Sequence, residues 1–248
     1  MLLEGVHVIG SALDAGVRLK TLVWCEQLLG RPGERLLKRL LSLPDPERTE
    51  YSSTPSLLAG LSEVSAPQGM IALAQRPVSS LEEIVDVVLA QESLLVALDN
   101  IRDPANVGVI CRLVAAVGGA GVVLLKGSAD AYSAKAIRAS AGAVFAIKLA
   151  AAEGPEAFEP WRPLFKAPLR AEMRAEVDCY QADLSGPRLL FLGNEGHGFS
   201  PRVVEASTAV SVPMAPSVES INVSMAAAVI LYEALRRHQQ LGLVGALG

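Results

Sequence analysis

Three short stretches of this 248-residue chain gather residue types that bind or activate small polar groups. The first, IRDPANVGVICR, spans residues 101–112. Asn106 directly before an apolar helical pattern is either a helix cap or an amide offered to a ligand. Arg112 is harder to account for locally, because its helical neighbours three and four residues away are Gly108, Val109, Ala115 and Ala116. A guanidinium set among small apolar residues must reach an anion, a carboxylate or a partner chain, since a buried charge without a counterpart is costly. The second stretch, GNEGHGFS at 193–200, has Gly193, Gly196 and Gly198 to let backbone approach a ligand closely, and Glu195 to supply a carboxylate. Its spacing matches neither the dinucleotide nor the phosphate-loop glycine pattern. Taken alone it reads by default as glycines at a strand-to-helix turn with a solvated Glu. The third, VPMAPSVESINVS at 212–224, crowds Ser220, Asn222 and Ser224 at one helix start, where a single cap suffices. That excess points to ligand contacts, and Pro213 and Pro216 stiffen the approach.

The elements that must hold these stretches follow from periodicity. From Ser93 onward, short apolar runs (SLLVALDN, GVVLLKG, VFAIKL, LLFLGNEG, AVSVPM) alternate with helical patterns (VGVICRLVAAVG, DAYSAKAIRASAG), and a long helix runs from about Val223 to Gln240. Such alternation predicts an α/β fold with a parallel sheet covered on both faces. Ligands in such folds collect at the carboxyl ends of the strands, where the first two stretches directly follow apolar runs. Residues 1–75 read as a smaller α/β unit: a helix over Val6–Ala15, the strand TLVWC, a Leu-rich helix after Pro32 and the strand MIALAQ. Between these last two lie loops around a short helix. Residues 76–92, opening with the polar RPVSSLEE, read as the linker to the domain 93–248. In GERLLKRLLSL, helical spacing puts Leu36, Leu37, Leu40 and Leu41 on one face and Arg35, Lys38 and Arg39 on the other. The basic face is a candidate RNA-binding patch, or simply the solvated side of an amphipathic helix.

Composition narrows the classes. Hydrophobic residues make up 51% and aromatics 4%, which argues against a stacking platform for single-stranded bases. The net charge of −4 lacks the general basic surplus of polyanion binders, so such binding has to come from a local patch. Cys25, Cys111 and Cys179 form no C-x-x-C pair, and His7, His197 and His238 are scattered. No metal site and a reducing compartment are expected. The start MLLEG lacks the basic segment of a secretory signal. The longest apolar stretches run to about thirteen residues, short of the roughly twenty of a membrane helix. A soluble cytoplasmic protein with no membrane partner is the expectation.

In this order, DPANVGVICR, LGNEGHG and VPMAPSVESINVS resemble the three signature motifs of the SpoU/TrmH-like RNA 2′-O-ribose methyltransferases of the SPOUT superfamily. RASAGAVF, residues 138–145, resembles a further segment of that family. The resemblance covers the chain from Ser93 to the C-terminal helix, and residues 1–75 resemble, more weakly, a ribosomal-protein-like RNA substrate-binding domain. It implies a deep trefoil knot, S-adenosyl-L-methionine as cofactor, a homodimer, and ribosomal or transfer RNA as substrate. Leu192, Gly193, Gly196, Val212, Met214 and Ile221 would contact the cofactor. Asn106, Arg112, Glu195, Ser220 and Asn222 would form the catalytic set. In it Arg112 would clamp a phosphate rather than act as base, because a guanidinium with a pKa above about 12 is a poor base. Glu195 would orient Arg112 or the substrate, and Ser220 and Asn222 would position the hydroxyl. Pro216 stands where the family usually has Gly, and the loss of an amide there is expected to weaken the cofactor site. The alternatives are a catalytically inactive RNA-binding relative of the same fold, or an unrelated doubly wound nucleotide binder.

Overall fold

The computed structural model describes residues 1–43, 45–194 and 198–240. Two sheets are built in succession along the chain. The first holds β1 (Leu2–Glu4), β2 (Leu19–Trp24), β3 (Thr49–Ser52) and β4 (Met70–Ala74) in the order β1-β4-β2-β3. Helices α1 (Val6–Asp14) and α2 (Arg31–Ser42) cover one face, packing Val8, Ile9, Leu36, Leu37 and Leu40 against Leu19, Leu22 and Met70. The short α3 (Pro55–Leu61), capped by Thr54, sits on the other face through Leu58. Leu41, expected in the buried stripe of α2, is instead 47% exposed. It lies one position beyond Leu40, the last residue of that helix to reach the sheet.

The second sheet has six strands, all parallel: β5 (Leu94–Asp99), β6 (Gly121–Leu125), β7 (Lys148–Ala152), β8 (Lys166–Glu172), β9 (Arg188–Gly193) and β10 (Thr208–Ser211), in the order β10-β8-β9-β5-β6-β7. The period-two alternation of β5 sorts its residues between two layers. Leu94, Val96 and Leu98 face one cluster with Ile110, Val114, Ile230 and Leu231, which come from α5 (Pro104–Ala116) and α8 (Val223–Gln240). Leu95 and Ala97 face the other, with Phe158 of the 3-10 segment Pro155–Leu164 and Val203 of α7 (Pro201–Ala206). The sixth helix, α6 (Ala134–Ala139), packs on α5. These apolar strands are buried on both faces, which explains their nearly unbroken Val, Leu and Ala sequence.

The stretch 76–92 is not an extended connection throughout. Helix α4 (Leu81–Gln91) starts at a capping box, in which the Ser80 hydroxyl accepts from the Glu83 amide and the Glu83 carboxylate accepts from the Ser80 amide. Ile84, Val85 and Val88 are fully buried against Leu95, Val123 and Phe191. The polar residues RPVSSLEE include a helix start, and the apolar stripe behind them belongs to the second core. The two units are joined firmly: one apolar cluster runs through both. Ion pairs Arg76–Asp130 at 2.6 Å and Arg138–Glu63 at 3.3 Å cross between them.

Candidate active site at the carboxyl ends of the strands

Loops leaving β5, β8, β9 and β10 meet at one end of the six-stranded sheet. The loop after β5 is fixed first. Asn100 adopts a left-handed conformation at φ +58°, and its carbonyl accepts from the Asn194 side chain at 3.1 Å. Asp99, 4% exposed, accepts from the Ser200 amide at 2.7 Å. The end of β5 thus clamps the loop that follows β9 at both of its ends. Gly193 is held by Phe199, whose ring would lie 2.7 Å from any Cβ placed there. That contact leaves no room for a side chain at Gly193.

Asn106 is not the cap of α5. Asp103 is, accepting from the Ala105 amide at 3.0 Å, and a hydrogen bond from Lys135 holds its carboxyl below the usual carboxylate range. With the cap supplied by Asp103, the Asn106 side chain is left to work elsewhere, and its Oδ1 accepts from Asn222 Nδ2 at 3.0 Å. Asn222 caps α8 with its Oδ1, which accepts from the Ser224 amide at 2.8 Å and the Ser224 hydroxyl at 2.6 Å. One Asn therefore caps a helix and ties the first motif to the third. In the loop before it, the Val218 amide donates to the Ala215 carbonyl at 2.9 Å. Pro216 is the second residue of that turn, where its fixed φ is favourable and no amide is required. The turn itself therefore bears no cost from the missing amide.

These loops enclose a cleft of about 780 Å³. Gly193, Val212, Met214, Ser220 and Ile221 line it. So do the Ala171–Arg174 stretch at the end of β8, together with Phe199, neither singled out from sequence. Strand β8 was hidden because Lys166, Pro168, Arg170 and Glu172 interrupt its apolar residues. Its edge is nonetheless placed in the site by lying between β9 and β10. Phe199 had a signal available, an aromatic residue in a chain poor in them, next to a glycine-rich loop. Leu192 is fully buried and does not line the cleft. Glu195 and Gly196 lie outside the described residues.

Arg112 is placed differently from the expectation of an enclosed charge. On α5 the buried stripe is Val107, Ile110, Cys111 and Val114, and Arg112 falls outside it, exposed to solvent. It lines a separate cleft rather than the one above. The adjacent Cys111 thiol is pushed up to about 12 by burial, which makes it unsuited to act as a nucleophile or metal ligand. Among the described residues no cluster of His, Cys, Asp and Glu could hold a metal ion, and no helix is long and apolar enough to cross a membrane. Arg35, Lys38 and Arg39 are exposed on α2, where Arg39 pairs with Asp14 at 2.6 Å. The far end of α8 is anchored by Glu233, 8% exposed, which accepts from Arg236 and Arg237 at 2.7 Å. Arg237 also donates to the Ala182 carbonyl.

Comparison with known proteins agrees with this arrangement. Residues 93–232 match the SpoU rRNA Methylase family. A 23S rRNA (uridine(2479)-2′-O)-methyltransferase of Streptomyces viridochromogenes is 31% identical over 247 residues, covering 95% of this chain and 82% of that one. An uncharacterized tRNA/rRNA methyltransferase of Mycolicibacterium vanbaalenii is 40% identical over 152 residues, covering 60% of this chain and 48% of that one. Among solved structures, the SpoU methyltransferase AviRb from Streptomyces viridochromogenes in complex with the cofactor AdoMet superposes with a TM-score of 0.84 at 28% identity. That match covers 96% of this chain and 90% of that one. With its three motif loops gathered at the ends of a parallel sheet, the chain belongs to the SpoU rRNA methylase family.

Proposed function

We propose that the protein methylates a ribose 2′-hydroxyl in structured RNA, ribosomal or transfer, with S-adenosyl-L-methionine as methyl donor. The observation that carries this reading is the cleft at the ends of β8, β9 and β10, with the Asn106–Asn222 pair joining the first and third motifs. The residues fit the cofactor. Val212, Met214 and Ile221 offer apolar walls, Gly193 and Phe199 line the cleft beside them, and the volume suits a ligand of that size. When bound, the cofactor supplies a methyl group already activated on a sulfonium.

The chain's own residues then have to orient the hydroxyl and ease loss of its proton. Orientation alone is worth about 7–11 kcal/mol in favourable cases. Ser220, lining the cleft, and Asn222 are suited to positioning the hydroxyl, with Asn106 fixing the Asn222 amide. Arg112 clamps the neighbouring phosphate and stabilises negative charge on the ribose oxygen. Glu195 belongs to the same set as an orienting carboxylate.

Asn106 and Arg112 are six residues apart on α5, which puts them about 9 Å apart along the helix axis and about 120° apart around it. One copy of α5 therefore does not aim both at one hydroxyl. A homodimer resolves this, with Arg112 of one copy serving the cofactor cleft of the other. Met225 and Tyr232, exposed at 59% and 48% on α8, supply apolar surface for such a contact. The deep trefoil knot goes with the same reading. So does a cytoplasmic location, where the RNA resides.

Transfer of labelled methyl groups from S-adenosyl-L-methionine to ribosomal and transfer RNA transcripts, with mapping of 2′-O-methyl positions, tests the activity. Tight cofactor binding without transfer to either RNA would instead favour the inactive relative.

A further inference from the structure

The second cleft, of about 690 Å³, opens between the two units and shares no lining residue with the cofactor cleft. One wall is the outer face of α1 with His7, Ser11 and Asp14, the other is Arg112, and the floor is the turn Ser140–Gly142. This floor is held in an unusual backbone shape: Ala141 has φ +51° and Gly142 φ +82°. A Cβ at Gly142 would lie 2.8 Å from the Cβ and Oγ of Ser11, so α1 docks closely on the turn. The ion pairs across the units hold this docking in place. Left-handed non-glycine residues are uncommon and concentrate at working sites.

The side chains of Arg112 and His7 make no hydrogen bond or ion pair among the described residues. Two nitrogen donors brought to one cleft from the two units suit an anionic group between them. The carboxylate lining the cleft, Asp14, would repel an anion, but it is taken up by Arg39. Through Arg39 the rim of the cleft continues into the exposed basic face of α2, which carries Arg35 and Lys38. Phosphates spaced along a polynucleotide chain match this run of donors, whereas an isolated small anion would use only the cleft.

Resting on the reading that RNA is the substrate, we infer that this inter-unit cleft holds one nucleotide of the RNA chain. Its phosphate lies between Arg112 and His7, and the backbone leaves over α2. His7 is thereby a substrate-binding residue supplied by the N-terminal unit, and Asp14 is a positioning residue that keeps Arg39 at the rim.

A charge swap at His7, an exposed position, tests this by direct titration of an rRNA transcript over a range of salt. His7→Lys should tighten binding and steepen the slope of log K against log salt by about one ion. His7→Glu should weaken binding by about tenfold or more. Gly142→Ala, which changes no charge, should weaken RNA binding by pushing α1 away through Ser11, while leaving cofactor affinity unchanged. If RNA affinity and its salt slope ignore both His7 variants, the cleft is not on the RNA path and the inference is overturned. Wild-type protein that binds RNA with the stated responses yet transfers no methyl group would overturn the activity reading alone.

Discussion

The two clefts are built in opposite ways. The cofactor cleft is made by sheet topology: three parallel strands end side by side, and each contributes the few residues that follow it. Its walls are mostly apolar side chains and backbone, with Asn194 tied to the Asn100 carbonyl, and the Asn106–Asn222 pair joins the motifs beside it. The inter-unit cleft is made by docking one unit on another, and the side chains of Arg112 and His7 make no hydrogen bond or ion pair among the described residues. A largely apolar pocket suits a ligand of fixed shape. An open cleft with uncommitted donors suits a segment of a larger, variable molecule whose binding is salt-dependent. Damage to the two should therefore separate into different kinetic constants.

Arg112→Ala sharpens the contrast most, because the residue belongs to the second cleft yet is assigned to the chemistry of the first. We expect kcat to fall by about a hundredfold or more, with cofactor affinity retained. Arg112→Lys should recover only part of the rate, since an ammonium lacks the planar two-point fork. Mixing Arg112→Ala with Asn106→Ala protein should restore activity if the two residues meet only across a dimer. No recovery on mixing, with mixed dimers demonstrated, would return Arg112 to its own subunit.

Next in size is Gly193→Ala. Its Cβ would collide with the Phe199 ring, and the loop must shift to relieve a contact costing about 1–3 kcal/mol. Calorimetry with S-adenosyl-L-methionine should show a loss of about tenfold or more, while the salt slope of RNA binding stays as in the wild type. A changed slope would mean that the two clefts are not separable.

The triple change of Arg35, Lys38 and Arg39 to Ala is expected to raise the KM for RNA and flatten the salt dependence by about two to three ions. Cofactor affinity should not move. An unchanged slope would make the α2 face a solvated surface and shorten the RNA path to the cleft itself.

The smallest effect belongs to Pro216→Gly. Replacing a proline that already sits in a favourable turn position costs about 0.4–1 kcal/mol through the freedom gained by the open loop. Cofactor affinity should fall by about two- to fivefold. An improvement would show that the missing amide, not the turn, governs that loop.

The motifs of the cofactor cleft were legible in sequence because each is local: an apolar strand followed by the residues that the strand delivers. The parallel sheet was legible for the same reason, since strands buried on both faces carry an almost unbroken apolar pattern. Strand β8 was not, because its charged residues find partners that sequence does not display. The Arg170 side chain, for example, donates to the Glu172 carboxylate and to the Ser207 carbonyl. The role of Asn106 as something other than a cap depended on Asp103 taking that position. The environment of Arg112 was misread because small neighbours along a helix do not imply enclosure. What surrounds a side chain on the outer face is decided by distant segments, here α1 and the Ser140–Gly142 turn.

The Glu233 cluster on α8 makes the stability of the fold depend on acidity. Hydrogen bonds from Arg236 and then Arg237 outweigh burial and hold the Glu233 carboxyl down at about 2. In the unfolded chain the same group would take up its proton near the ordinary carboxylate value of about 4.3. The folded state is therefore favoured above that value, and the advantage drains away as pH falls from about 5 towards 2. Asn222 caps the start of the same helix, so proton uptake at Glu233 is expected to weaken the helix that this cap begins. An acid titration followed by circular dichroism should show this slope in the wild type. It should be diminished in Glu233→Gln, which starts from a lower stability at neutral pH because two guanidinium groups have lost their carboxylate.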